Sequence, residues 1–276
     1  MTKTVFISLF ILFVSFAYSQ ENADKRIQYF PKSEEKVSKM PKKKNVWVFI
    51  MAGQSNMAGR GQVEPQDTIY NKRILSINAK GELIIAKEPL HFYEPTLTGL
   101  DCGMSFAKSL LPKISKNITI LLIPTAVGGS AVQQWIGDST YRKVQLLSNF
   151  KEKVNIGLQY GTIKALLWHQ GESNTNNKEN INLHTSRLTN LFTVFREILQ
   201  NKHLPILLGE LGAYSKNNTN WQLLNAKLRE YVKTDSNAAL IFTQDLKHKG
   251  DDIHFDSDGQ RKIGERFATE YLKKFN

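Results

Sequence analysis

The sequence predicts an α/β fold: an open, mostly parallel, doubly wound sheet covered by helices on both sides. Three observations carry this. Short β-branched apolar runs recur between turn residues, several without polar alternation, as expected of strands buried on both faces. Segments with apolar residues three and four apart fall between them. The two patterns alternate along the chain, which is the signature of successive βα units.

Six runs are expected as strands: "VWVFIMAG" (46–53), "RILSIN" (73–78), "ITILLIPTA" (118–126), "IKALLWHQ" (163–170), "PILLGELG" (205–212) and "AALIFTQD" (238–245). The clearest helix lies within 183–199, where Leu188, Leu191, Phe192, Phe195, Ile198 and Leu199 form one apolar stripe. Segments 103–112, 140–156, 220–233 and 258–274 read as helices too; in the last, Ile263, Phe267 and Tyr271 stand at i, i+4 and i+8. There is no internal repeat and no second core, so residues 45–276 are expected to form one domain.

The first 19 residues read as a secretory signal peptide: Lys3, an apolar stretch from Val5 to Phe16, then Ala17-Tyr18-Ser19 as a small-x-small cleavage pattern. The apolar stretch falls short of the ~20 residues that span a bilayer. No cysteine immediately follows the cleavage site, which argues against a lipid anchor. The mature protein is therefore expected to be secreted or periplasmic, with no integral membrane segment. Residues 20–44 form a polar, basic leader, read as a solvated linker, with contact to an anionic surface as the alternative.

The chain carries 37 Lys and Arg against 25 Asp and Glu, a net charge of +12. Much of the excess sits in "KSEEKVSKMPKKK" (32–44), with no arginine stripe and no interleaved aromatic platform, so nucleic acid is not expected as a partner. Cys102 is the only cysteine, which rules out an internal disulfide and assigns it to packing. No Cys/His spacing indicates a metal, and no cofactor is expected.

Chemistry is sought just past the strands, since doubly wound sheets place their sites beyond the strands' carboxyl ends. "MAGQSNMAGRG" (51–61) places Ser55 there, between Gln54 and Asn56 and near three glycines. It is either a turn or a nucleophile beside gathered backbone N–H groups. "VGGSAVQQW" (127–135) adds paired glycines that let backbone N–H groups approach a ligand. "WHQGES" (168–173) supplies Trp168, His169, Gln170 and Glu172; Gln170 offers an amide N–H, and Glu172 reads as a loop anchor ahead of a catalytic acid. In "HKGDDIHFDSDGQRKIG" (248–264), Asp251 precedes His254 by three residues, a spacing at which a turn brings a carboxylate to one imidazole nitrogen. Asp256 and Asp258 suit the start of the last helix. A calcium loop lacks the required register here. Together the clusters offer nucleophile, base, orienting acid and oxyanion donors at one end of the sheet.

These residues resemble a known family. "GQSNMAGRG" (53–61), "IPTAVGGSAVQQW" (123–135), "LLWHQGES" (166–173) and "DDIHFDSDGQRKIGERFA" (251–268) are similar, in order, to the blocks of SGNH hydrolases. Within that superfamily they look like the sialate O-acetylesterase and acetylxylan esterase-like group, carbohydrate esterase family six; "GLDCGMSFAKSLL" (99–111) resembles the segment before its second core strand. The resemblance implies a three-layer, flavodoxin-like α/β/α sandwich and metal-independent removal of O-acetyl groups from sugars. It implies Ser55 as nucleophile, His254 as base and Asp251 as its orienting acid. The backbone N–H groups of Ser55 and Gly129 and the side chain of Gln170 would form the oxyanion hole. The wider superfamily has Asn where this chain has Gln170, so the same donor has a longer reach. Met57 stands where the α/β-hydrolase elbow would have its second glycine.

Gln54, Asn56, Trp135, Trp168 and Glu172 are candidates for substrate binding or support, the two tryptophans being equally compatible with core packing. His169 is expected to be a satisfied strand-end histidine, and His91, His184, His203 and His248 surface or loop residues. Two other functions compete: a GDSL-like lipase or short-chain carboxylesterase, which needs an apolar acyl groove, and a non-catalytic glycan-binding module, which would lack one of Ser, His or Asp.

Overall fold

The computed structural model describes residues 24–276. The signal peptide expected at 1–19 lies outside the described residues. The strands are β1 (Val46–Gly53), β2 (Ile74–Ile77), β3 (Leu83–Ile85), β4 (Thr119–Pro124), β5 (Thr140–Tyr141), β6 (Val144–Gln145), β7 (Thr162–His169), β8 (Ile206–Gly209) and β9 (Ala238–Ile241). The α-helices are α1 (Ser55–Ala58), α2 (Gly103–Leu110), α3 (Val132–Ile136), α4 (Leu146–Tyr160), α5 (Lys178–Asn182), α6 (His184–Ile198), α7 (Asn218–Thr234) and α8 (Ser257–Phe275).

Seven strands form one sheet in the order β3-β2-β4-β1-β7-β8-β9. Every pairing is parallel except β2 with β3. Strand β1 is central, and all of its residues except Trp47 are buried, which is why its sequence shows no alternation. The connections from β1 go first to one side and, from β4, to the other. The crevice between β4, β1 and β7 is thus the place where a doubly wound sheet opens a site.

Each face of the sheet has its own apolar layer. Val48, Ile50 and Ala52 point to one side, against Phe150 and Val154 of α4, Phe192 and Phe195 of α6, and Leu224 and Leu228 of α7. Phe49 and Met51 point to the other, against Phe106 of α2 and Ile263, Phe267 and Tyr271 of α8. Fully burying one such side chain contributes on the order of 2 kcal/mol. These two layers hold the fold without a disulfide, and Cys102 is buried and unpaired against Met57.

The α/β class and the six expected strands are present. Two local expectations change. The segment 140–156 opens as the β5–β6 hairpin, turning through Arg142 and Lys143 at φ 46° and 65°, and becomes helical only at Leu146. Strand β3 went unpredicted because three residues show no period. The linker reading of the leader is also corrected for its described part. Residues 24–45 lie along the domain as a strap: the Ile85 N–H donates to Glu35 O at 2.8 Å, the Val37 N–H to Leu83 O at 3.4 Å, and Lys36 bridges Ile84. Lys87 pairs with Glu35 at 3.0 Å, and the Asn78 amide donates to Glu34 at 2.7 Å. The strap covers backbone groups that an uncovered β3 edge would leave open to other chains.

Candidate active site

At the end of β1, Gly53 has φ 134°, and a Cβ there would meet His169 O at 2.1 Å. Only glycine lets β1 run this close to β7 and turn abruptly into α1. The turn sets Ser55 at the first position of α1, at the sheet's carboxyl end, with the residue 6% exposed.

Loop 248–256 reaches back over this turn from the other end of the chain. His254 Nε2 lies 2.9 Å from Ser55 Oγ, and His254 Nδ1 lies 2.7 Å from Asp251 Oδ2. The other Asp251 oxygen accepts the His254 and Ile253 backbone N–H groups at 2.8 and 3.1 Å. Partial burial raises the Asp251 carboxyl, but hydrogen bonds from the His254 N–H, its ring and Ile253 outweigh it and hold the group down at about 2. Asp252 turns away at φ 58° and pairs with Lys216 at 3.3 Å. Asp256 caps α8 by accepting the Gly259 N–H at 2.7 Å.

Asn56 fastens the loop to the turn. Its Oδ1 accepts the Phe255 N–H at 3.1 Å, and its Nδ2 donates to Ile253 O at 3.1 Å and to Glu172 Oε1 at 2.5 Å. Glu172 therefore holds Asn56 in place, as an anchor would. His169 donates through Nε2 to Glu210 O, 2.9 Å away; burial lowers its basicity, while Glu172, 3.9 Å from Nδ1, works the other way.

The loop after β4 brings Gly129 to the same place, at φ 82°. Among the described residues, the backbone N–H groups of Ser55 and Gly129 donate to no other protein group. The Gly129 carbonyl accepts from Ser173 Oγ at 2.9 Å, and the neighbouring Gly128 N–H donates to Glu94 Oε2 at 2.6 Å. The carboxylate of Glu94 also accepts from Arg60 at 2.8 Å and from Arg142 at 2.6 Å.

Three expected roles are not where the structure places the side chains. The Gln170 amide nitrogen donates to Asn174 Oδ1 at 2.7 Å and Ser130 O at 3.2 Å, and sits 3.3 Å from Gln54 Oε1. With no exposed surface and both its N–H groups engaged, Gln170 ties loops together beneath the cleft and does not donate into it. Gln54, which lines the cleft, has its oxygen facing Ser173 N–H at 3.2 Å and Gly171 N–H at 3.4 Å. Trp135 and Trp168 are both fully buried, edge to face at 5.5 Å among Phe192 and Phe195, so they are core and not pocket wall. His91 and His184, expected at the surface, are buried; His91 Nδ1 meets Asp101 at 2.9 Å, a pairing across ten residues that carries no mark in the sequence.

The resulting cleft has a volume of about 490 Å³ and holds Gln54, Ser55, Gly129, Asp251 and His254 in its lining. Arg26, Arg60 and Arg142 line it as well, and were not singled out in the sequence. Arg60 carried a usable signal, a charge set between Gly59 and Gly61; Glu94 and Arg26 carried none. Among the described residues, no group of three or more His, Cys, Asp or Glu side chains is placed to hold a metal ion, and no helix is long and apolar enough to cross a membrane.

Comparison with known proteins identifies the family. Residues 45–273 match the family described as carbohydrate esterase, sialic acid-specific acetylesterase. A probable carbohydrate esterase from Arabidopsis thaliana is 29% identical over 249 residues, covering 83% of this chain and 91% of that protein. The X-ray structure of an Arabidopsis thaliana protein superposes with a TM-score of 0.75 at 26% identity, over 84% of this chain and all of the other. NanS shares the fold, with a TM-score of 0.69 at 18% identity over 85% of this chain and 98% of its own. The chain belongs to the sialic acid-specific acetylesterase family and is a carbohydrate esterase.

Proposed function

We propose that the protein is an exported serine esterase that removes O-acetyl groups from carbohydrates, acetylated polysaccharide or sialic acid, through an acyl-enzyme on Ser55. The observation that carries this is the hydrogen-bonded series Ser55–His254–Asp251, at 2.9 and 2.7 Å, beside two uncommitted backbone N–H groups.

His254 takes the Ser55 proton as Oγ attacks the acetyl carbonyl. Asp251, kept ionised, fixes the ring so that Nε2 faces Ser55. The Ser55 and Gly129 N–H groups receive the oxyanion of the tetrahedral intermediate. His254 returns the proton to the departing sugar oxygen, then draws a proton from water as it attacks the acetyl-serine and passes it to Ser55 Oγ as the acyl–oxygen bond breaks, and acetate leaves. The Arabidopsis relative bears the name of a carbohydrate esterase, which supports the sugar ester as substrate. The lipase reading is disfavoured by the lining: among the described residues, Leu97 and Ile253 are its only large apolar side chains. The binding-module reading is disfavoured by an intact Ser, His and Asp.

Acetate release from a panel of acetylated polysaccharides and sialosides tests the proposal, together with a chain-length series of p-nitrophenyl esters. Activity falling sharply beyond two or three carbons is expected; a preference for long acyl chains would overturn the reading. Sequencing the amino terminus of protein recovered outside the cytoplasm tests export, with cleavage after Ser19 expected.

A further inference from the structure

The family match begins at residue 45, yet the chain upstream of it reaches the cleft. At the start of the strap, Arg26 Nη1 donates to the carbonyls of Thr98 and, at 3.4 Å, Pro95. Its Nε and Nη2 donate to Asp24 Oδ2 at 3.1 and 2.9 Å, and Asp24 also accepts the Arg26 backbone N–H at 3.0 Å. A guanidinium has five N–H donors in a rigid fork. These contacts occupy four of them, hold the side chain in one orientation and, among the described residues, leave one N–H on Nη2 uncommitted.

The segment that Arg26 grips is itself cleft wall. Thr96 and Leu97 line the same space as Ser55 and His254, and Leu97 is 43% exposed, a large apolar side chain at the rim that none of the described residues covers. Two residues before Thr96, Glu94 holds Gly128. The strap, the 95–98 segment and the glycine loop thus form one continuous set of contacts ending beside the nucleophile.

We propose that the strap is a substrate-specificity element: Arg26 and the 95–98 segment it holds form a subsite for the saccharide part of the ester. A sugar ring presents hydroxyl acceptors and an apolar C–H face; Arg26 supplies a fixed donor and Leu97 an apolar surface. The acetyl group itself is handled by Ser55, Gly129 and His254. This inference rests on the reading of the protein as a sugar acetylesterase and adds to it a recognition element lying outside the family's matched region.

The test compares the full chain with Arg26→Ala and Leu97→Ser, measuring kcat and KM on an acetylated oligosaccharide and on p-nitrophenyl acetate. The ratio of kcat/KM on the saccharide to that on p-nitrophenyl acetate is expected to fall, through KM, roughly ten- to a hundredfold in Arg26→Ala, the size of one lost charge-assisted contact, and roughly tenfold in Leu97→Ser, the size of one lost apolar contact. Arg26→Lys, which keeps the charge without the fork, is expected to recover only part of the ratio for Arg26. Unchanged ratios in both Arg26→Ala and Leu97→Ser would overturn the subsite while leaving the esterase reading intact. A wild-type protein that hydrolyses p-nitrophenyl acetate but releases acetate from no saccharide would remove both.

Discussion

Glu94 accepts the Gly128 backbone N–H at 2.6 Å while its two oxygens also hold Arg60 and Arg142, at 2.8 and 2.6 Å. A Cβ at position 128 would lie 2.2 Å from Arg60 Nη2, so this packing requires glycine there. The carboxylate and Arg60 are each 5% exposed in their side chains, so neither has water as a substitute partner. Burial pulls the Arg60 guanidinium below its ordinary value, and Glu94 pushes it back. Glu94→Gln leaves the shape and removes the charge. Breaking a buried pair costs about 3–5 kcal/mol, so the melting temperature should drop by many degrees. Because Gly128 precedes Gly129, kcat on p-nitrophenyl acetate should also fall, roughly ten- to a hundredfold, with a smaller change in KM. Unaltered kcat in the folded variant would show that Gly128 is held by other means.

Ser55→Ala and His254→Ala should each lower kcat/KM by roughly 10⁴-fold or more, with thermal midpoints within a few degrees of wild type. Asp251→Asn should lose nearly as much, since the amide no longer holds the ring in the tautomer that leaves Nε2 free as a base. Retention of most activity by Ser55→Ala would remove the covalent mechanism.

Gln170→Met separates support from catalysis. With its N–H groups engaged by Asn174 and Ser130, its loss should cost about 1–3 kcal/mol of stability, the desolvation of partners left unpaired. The effect on kcat should stay below tenfold. A donor acting on the oxyanion would instead cost roughly 10²- to 10³-fold in kcat with little change in melting.

His184 should make the protein acid-sensitive. The ring is fully buried with no partner for either nitrogen among the described residues; burial pushes its pKa down to about 3, and Arg187 adds to this. Between about 6.5 and about 3, the unfolded chain therefore binds a proton that the folded chain does not. Stability falls as pH falls through that window, by up to about 1.4 kcal/mol per pH unit from this one group. Asp251, held at about 2, adds its own loss only below 3.8. His184→Leu should flatten the melting-temperature profile between pH 6.5 and 3; parallel profiles for the two proteins would refute the assignment.

Much of the fold was legible because burial leaves a periodic mark. The two-faced burial of β1 erased alternation in "VWVFIMAG", and the stripe through Ile263, Phe267 and Tyr271 laid α8 against the sheet. The pairing of Asp251 with His254 was legible for a different reason: a three-residue spacing is closed by a local turn. Trp135 and Trp168 were not, because a tryptophan near a strand end is the same residue whether it walls a pocket or fills a core. Gln170 was misread for a related reason, since sequence gives an amide its position but not its direction.

From its amino acids alone this protein was committed to a parallel sheet and to glycine-lined turns at its carboxyl end, because hydrophobic period and backbone permissiveness are properties of short stretches. Only the tertiary structure decided which polar groups face one another across the chain. Ser55 meets His254 over 199 residues, Gly128 meets Glu94 over 34, and Arg26 meets Thr98 over 72. Such contacts leave no local pattern: each depends on where the sheet places loops that are distant in sequence, and a hydrogen bond acts only within about 3 Å of its partner.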